Sequence, residues 1–142
     1  MKKIPYGVSN FKEIINSNMY YIDKTMYLEN FEKKDRNLFF IRPRRFGKSL
    51  FLSMMSTYYD INEKENFYRY FKDLYIGKKE NKTKKANEYL ILNLNFSAVP
   101  TEGGKKSLIE NFDQRVLLSI NSFFEKYYRY LKTKFLPDKY DT

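Results

Sequence analysis

Residues 39–60 read FFIRPRRFGKSLFLSMMSTYYD. An apolar segment ending at Ile41 gives way to Arg42, Arg44, Arg45 and Lys48 around Gly47, and a second apolar segment follows from Leu50. No acidic residue stands between Asp35 and Asp60, so this positive charge has no local counterweight. A cationic turn between two segments patterned for burial describes an anion site. The N–H groups that open a helix lack internal partners, and the helix macrodipole is positive at that end. A triphosphate would bring both the acceptors and the opposing charge. Gly47 lets the backbone approach it, Lys48 reaches its outer phosphates, and the Ser49 hydroxyl is placed to ligate Mg²⁺.

The pattern G-x-x-x-x-G-K-[ST] is met only in its second half, because Arg42 stands where the first glycine belongs and Pro43 fixes an ordinary turn φ after it. Other readings of the same residues stay open. Gly47-Lys48-Ser49 also suits a plain helix start with a solvated lysine. Arg44 and Arg45 suit a surface patch, or partners for an acidic strand elsewhere. Arg42 suits a role in loop geometry or a carboxylate pair.

Working outward, NLFFI at residues 37–41 is too short for a helix, and its unbroken apolarity predicts a strand buried on both faces. From Gly47 the pattern turns helical, with Ser49, Ser53 and Ser56 as a narrow polar stripe on a helix otherwise buried all round. Upstream, Asn10 and Glu13 form a capping pair for a helix carrying Phe11, Ile14 and Ile15. Asp23 is the expected N-cap of a second helix, through Tyr27 and Phe31, and the alternative for Asp23-Lys24-Thr25 is a turn that borders the nucleotide near its base. Downstream, Phe67, Tyr70, Phe71 and Leu74 make a helical face. Lys78 to Lys85 reads as a solvated loop, with nucleic-acid contact as the alternative.

YLILNLNFS alternates from Leu90 to Phe96, which predicts a second strand with Asn93 and Asn95 on its polar side. A long helix is expected from Lys105 to about Leu131, with Ile109, Phe112, Val116, Ile120, Phe123 and Tyr127 as its core stripe and Pro137 beyond its end. This order predicts an α/β layered domain of the P-loop NTPase type, an incomplete parallel sheet flanked by helices. Residues 1–36 form its helical lead-in and residues 37–142 carry the loop, strands and long helix. Since such a sheet normally has more strands, the chain is expected to be the N-terminal portion of a longer protein.

Composition bounds the chemistry. The 142 residues suit one modest domain, and 42% hydrophobic with 19% aromatic content excludes a disordered tail. Lys and Arg total 27 against 17 Asp and Glu, a formal charge of +10 that favours an anionic partner. The chain has no Cys and no His, which excludes disulfides, thiolate or imidazole metal sites and a histidine base. Carboxylate, lysine, hydroxyl and backbone chemistry remain, with oxygen-bound metals such as Mg²⁺. No apolar run approaches the roughly 20 residues that span a bilayer, and no signal core follows Met1; the expected location is the cytoplasm, with no membrane partner.

RPRRFGKSL closely resembles the variant Walker A of a bacterial family called AAA-ATPase-like. The resemblance extends to IPYGVSNFKEI, YYIDKT, LFLSMMSTYYD, FKDLYIGK and YLILNLNFS, and so covers most of the chain. In that family the glycine-less start is usual, so Arg42 speaks for it. The resemblance implies a P-loop NTPase fold using ATP and Mg²⁺, with Arg44, Arg45, Phe46, Gly47, Lys48, Ser49 and Leu50 at the nucleotide and Ser49 on the metal. It also implies an acidic Walker B strand after the long helix and, in full-length members, a C-terminal PD-(D/E)XK nuclease-like domain. Here FLPDKYDT closes the sequence, and no apolar strand precedes Asp138 or Asp141. The expectation is therefore an ATP-binding portion of an ATPase, itself short of the acid that hydrolysis uses. Two rivals stand beside it: a basic nucleic-acid-binding module using Arg42, Arg44, Arg45 and the Lys78–Lys85 loop, and a protein-interaction domain with a vestigial nucleotide site. A homo-oligomer is compatible with each.

Overall fold

The computed structural model describes residues 1–34, 37–97 and 104–132. The chain divides into two compact units, Met1–Tyr89 and Leu90–Thr142. About half of the described residues are helical.

The first unit is built around α3 (Lys48–Tyr59), preceded by α1 (Phe11–Asn16) and α2 (Tyr27–Glu32) and followed by α4 (Phe67–Phe71). Its core gathers Phe11, Leu28, Phe51, Met54, Tyr58, Phe67, Tyr70, Phe71, Leu74 and Ile76. On α3 the buried residues Phe51, Met54 and Tyr58 recur at helical spacing, which makes one apolar face. The expectation of burial all round is thus corrected: Leu52 is exposed, and the stripe residue Ser53 accepts from the Phe11 N–H at 3.0 Å, tying α1 to α3. Asn10 caps α1 as expected, its Oδ1 accepting from the Lys12 and Glu13 N–H groups. Edge and face ring contacts run from Tyr21 through Phe11 and Phe71 to Tyr58 and Tyr59, so much of this core is aromatic. A single-turn helix at Tyr75–Gly77 seals its base with the fully buried Ile76. Any side chain at Gly77 would collide with the Phe71 carbonyl, so this close approach requires glycine.

A second polar tie lies behind α3. Glu32 Oε1 accepts from the Tyr59 hydroxyl at 2.9 Å and the Thr83 hydroxyl at 2.7 Å, and the Thr83 N–H donates to the Tyr58 hydroxyl at 3.0 Å. Burial, reinforced by the Glu32 contact, pushes the Tyr59 phenol well above its ordinary range; burial also raises Tyr21, and raises Tyr58 against the opposing hydrogen bonds of Thr83.

The expected α/β architecture with an incomplete parallel sheet is not found among the described residues, which are helical with essentially no strand. The described residues make isolated parallel bridges, Lys3 with Met19 and Asp60 with Tyr89, and no sheet. Residues 37–41 are neither strand nor buried on two faces. Phe40 turns inward against Phe31 and Phe51, while Phe39 is 92% exposed and Ile41 81%. Continuous apolarity marks a segment as suited to a doubly covered strand, but hydrogen-bonded neighbours must be there to accept it. At the second expected strand, Tyr89 takes the bridge to Asp60, and from Leu90 to Ser97 no ladder forms among the described residues. Leu92, Leu94 and Phe96 are exposed, as are the intervening Asn93 and Asn95, so the alternation of the sequence is not matched by one in burial.

The second unit contains α5 (Gly104–Lys126) and α6 (Tyr128–Leu131). The single long helix expected to Leu131 is broken at Tyr127, whose φ of −110° and ψ of 18° leave the helical range. No residue of α5 is buried, so its apolar stripe is not the enclosed core its spacing suggests; Ile109 and Phe112 are exposed. Phe112 instead stacks on Phe96 at 5.1 Å, and the buried Tyr127 receives the Ile91 N–H on its hydroxyl at 2.9 Å.

Candidate functional site

The turn before α3 is shaped by two left-handed residues. Arg45 has φ 64° and Gly47 has φ 75°, the second being the N-cap of α3. Glycine adopts that region freely, whereas Arg45 does so against the crowding of its Cβ. Gly47 offers no side chain to cap the helix. The first helical bond runs from the Phe51 N–H to the Gly47 carbonyl at 2.9 Å, and among the described residues no oxygen accepts from the N–H groups of Gly47, Lys48, Ser49 or Leu50. These are the orphan donors of a helix start.

Lys48 folds back over the turn, its Nζ donating to the Arg42 carbonyl at 2.6 Å and approaching the Pro43 carbonyl at 3.5 Å. The ammonium thus rests on the turn's own backbone at an exposed position. Arg42, Arg44, Arg45, Phe46 and Ser49 are exposed. Leu50 differs: its side chain packs against the core, so only its backbone faces the turn. The Arg42 guanidinium lies 5.7 Å from the Phe40 ring centre. Of the expected residues, the fold places all on one turn, most of them open to solvent.

The turn at Asp23-Lys24-Thr25 comes close to this one. Asp23 does not cap α2, as expected of it; the α2 N-cap is Met26, without a side-chain bond. Asp23 Oδ1 instead accepts from the Thr25 N–H at 2.8 Å and its hydroxyl at 2.7 Å, and Asp23 Oδ2 accepts from the Tyr75 N–H at 2.7 Å. The buried Thr25 hydroxyl accepts from the Ile76 N–H at 3.1 Å. Asp23 and Thr25 are therefore committed to the turn at 75–77. Lys24 between them is left to project toward α3, its Nζ 3.9 Å from the place a Cβ on Gly47 would occupy. Beside it lies a cavity of about 640 Å³, lined by Tyr27, Phe31, Phe39 and Phe40, with Arg42 and Phe46 at the turn. Aromatic residues on both sides of Lys33 and Lys34, Tyr27 and Phe31 before and Phe39 and Phe40 after, were the available signal for it.

Other candidates go elsewhere. Asn95 Oδ1 accepts from the N–H and hydroxyl of Ser97, which answers a local backbone need. Lys82, within the charged loop, lies 3.9 Å over the Phe67 ring. Asp138 and Asp141 lie outside the described residues. The described residues contain no group of three or more acidic side chains suited to a metal. The exposed Ser49 hydroxyl fits Mg²⁺ as a single oxygen ligand, the kind of site in which phosphate oxygens and water complete the shell. Among the described residues no helix is long and apolar enough to cross a membrane.

With this turn in view, comparison with known proteins is decisive on kinship. A family model described as "Predicted AAA-ATPase" matches residues 5–140. The chain belongs to the AAA-ATPase-like family. ATP and Mg²⁺ are what that membership implies. A relative from Azotobacter chroococcum mcd 1, called "Uncharacterized protein in vnfD 5'region", is 40% identical over 63 residues, 44% of this chain. The match spans 12% of that relative's length. No solved structure matches the chain.

Proposed function

We propose that this member of the AAA-ATPase-like family binds ATP with Mg²⁺ on the turn at Arg44–Leu50, as part of an ATPase that acts with a nuclease-like domain. The observation that carries the reading is the row of N–H groups from Gly47 to Leu50 that have no partner among the described residues and open a helix just after Arg42, Arg44 and Arg45. A triphosphate satisfies those donors, and Lys48 exchanges the Arg42 carbonyl for a phosphate oxygen. Ser49 contributes its hydroxyl to the metal. Mg²⁺, when bound, neutralises charge developing on the phosphates; the chain's own residues bind and orient the anion. Family membership supports the same ligand.

Titration with fluorescent ATP in the presence of Mg²⁺ tests this. Lys48→Ala is expected to weaken binding at least tenfold, and unchanged affinity overturns the proposal. Binding of short DNA that ignores Mg²⁺ and Lys48 but falls steeply with salt would favour a basic nucleic-acid module instead.

A further inference from the structure

We infer that the outer face of α4, together with the loop from Lys78 to Lys85, is a binding surface for single-stranded nucleic acid, independent of the ligand proposed for the turn before α3. Residues 67–85 carry seven cations against two acids, Asp73 and Glu80, an excess that makes up half of the chain's net charge of +10. None of the seven pairs with a carboxylate among the described residues, where the ion pairs are Lys12 with Glu63 and Lys64 with Glu88. The loop is also bonded firmly into the fold. Asn81 Nδ2 donates to the Tyr75 carbonyl at 2.8 Å, Thr83 is held by the Tyr58 hydroxyl and Glu32, and Ala86 and Asn87 are buried. Lys78, Lys79, Lys82, Lys84 and Lys85 stand exposed among these anchors. A cationic surface that is already held in shape loses little conformational freedom when an anion settles on it.

What positions the cations also selects the class of ligand. Lys82 Nζ lies 3.9 Å from the Phe67 ring centre, and Lys72 Nζ 5.7 Å from that of Tyr68. A carboxylate partner would cancel the charge, whereas a ring places an ammonium without neutralising it and leaves it available to a phosphate. Tyr68 is 74% exposed on α4, and Tyr75, at the root of the loop, is 36% exposed. Exposed rings among uncompensated cations suit a polymer that carries both anions and planar groups. Phosphates meet the lysines, and unpaired bases stack on the tyrosines without any particular edge pattern. A duplex keeps its bases stacked on one another and would leave Tyr68 unused. An acidic peptide supplies charge but no regular planar group. A single strand uses both features, and DNA and RNA share that chemistry.

Fluorescence anisotropy of the full chain tests this, with labelled oligo-dT and oligo-U of equal length, a duplex of that length and a polyglutamate peptide. Both strands should bind, with duplex and polyglutamate about tenfold weaker for want of stacking; a preference between dT and U names the source and supports the surface either way. Changing Lys78, Lys79, Lys84 and Lys85 together to Gln should weaken strand binding and flatten its log–log salt slope by about 3. Tyr68→Ala should lower strand affinity about tenfold and leave duplex binding unchanged. All these positions are exposed, and thermal melting that matches the parent sets a folding defect apart. Lys48→Ala should leave strand binding intact, and the quadruple variant should keep Lys48-dependent ATP binding, because this surface adds a ligand to the chain without replacing the first. Strand affinity unchanged in the quadruple variant would move the strand to Arg42, Arg44 and Arg45 and overturn the inference. So would equal binding of strand and duplex with no effect of Tyr68→Ala, which means charge alone, or polyglutamate binding as tight as the strands, which means an acidic protein partner. Absence of strand binding at low salt would end it outright.

Discussion

Residues 1–89 and the described residues from 90 onward have similar apolar patterning and very different burial. In the first unit short helices share one aromatic core, in which Phe11, Phe71, Met54 and Tyr58 are fully buried. In the second, a helix of 23 residues has none of its own side chains buried. The difference teaches that helical spacing of apolar residues states a capacity for burial, and that short elements meeting from several directions realise it better than one long helix does. It also explains why the candidate site lies where it does: the turn at Arg44–Leu50 leads into α3, which the core grips along Phe51, Met54 and Tyr58.

The largest effect that could break this comparison is a pair of truncations. Phe71→Ala removes a ring packed against Phe11, Tyr58 and Phe67 and should cost about 3–5 kcal/mol, read as loss of cooperative melting. Ile109→Ala, on the exposed stripe of α5, should stay within about 0.5 kcal/mol. Equal costs would mean that the second region has a core of its own, and the contrast would collapse.

A smaller effect sharpens the account of the first unit. Asp23→Ala strips acceptors from Thr25 and Tyr75 and should cost about 1–3 kcal/mol in denaturant unfolding. Asp23→Asn should recover part of that loss, since an amide oxygen still accepts. A wild-type unfolding free energy in Asp23→Ala would show the tie to be dispensable.

The smallest concerns the tyrosines behind α3. Tyr59→Phe should cost about 1 kcal/mol at neutral pH by removing the bond to Glu32. Because burial and Glu32 raise the Tyr59 pKa in the folded chain, the proton is held more tightly there than in the unfolded one. That contribution is present in full below the ordinary tyrosine pKa of 10.0 and is lost as pH rises above it. Thermal melting from neutral to strongly alkaline pH should therefore show a shallower alkaline fall in Tyr59→Phe than in the parent; parallel curves would remove Tyr59 from the cause.

Local features were legible in the sequence where they depend on near neighbours. Asn10 caps α1, α3 begins after Gly47, and Phe67, Tyr70, Phe71 and Leu74 face the core, because caps and helical periodicity are settled within a turn or two. The sheet was misread because a strand is defined by its partner. Leu38 to Ile41 and Leu90 to Phe96 have strand composition, and no ladder receives them among the described residues. The site divided in the same way. Residues 44–50 could be singled out as one contiguous stretch, while the nearness of Lys24 to Gly47 depends on bonds from Asp23 and Thr25 to residues some 50 positions away. That register is invisible in a single chain.

Arg45 carries a consequence of its own. Its left-handed backbone costs a residue with a Cβ roughly 1–2 kcal/mol that glycine would not incur. Glycine could trace the same bend with less strain, so curvature alone does not account for an arginine there. An Arg45→Gly chain is expected to be the sturdier molecule by about that amount, and under the proposed anion site it would also have one cation fewer at the turn.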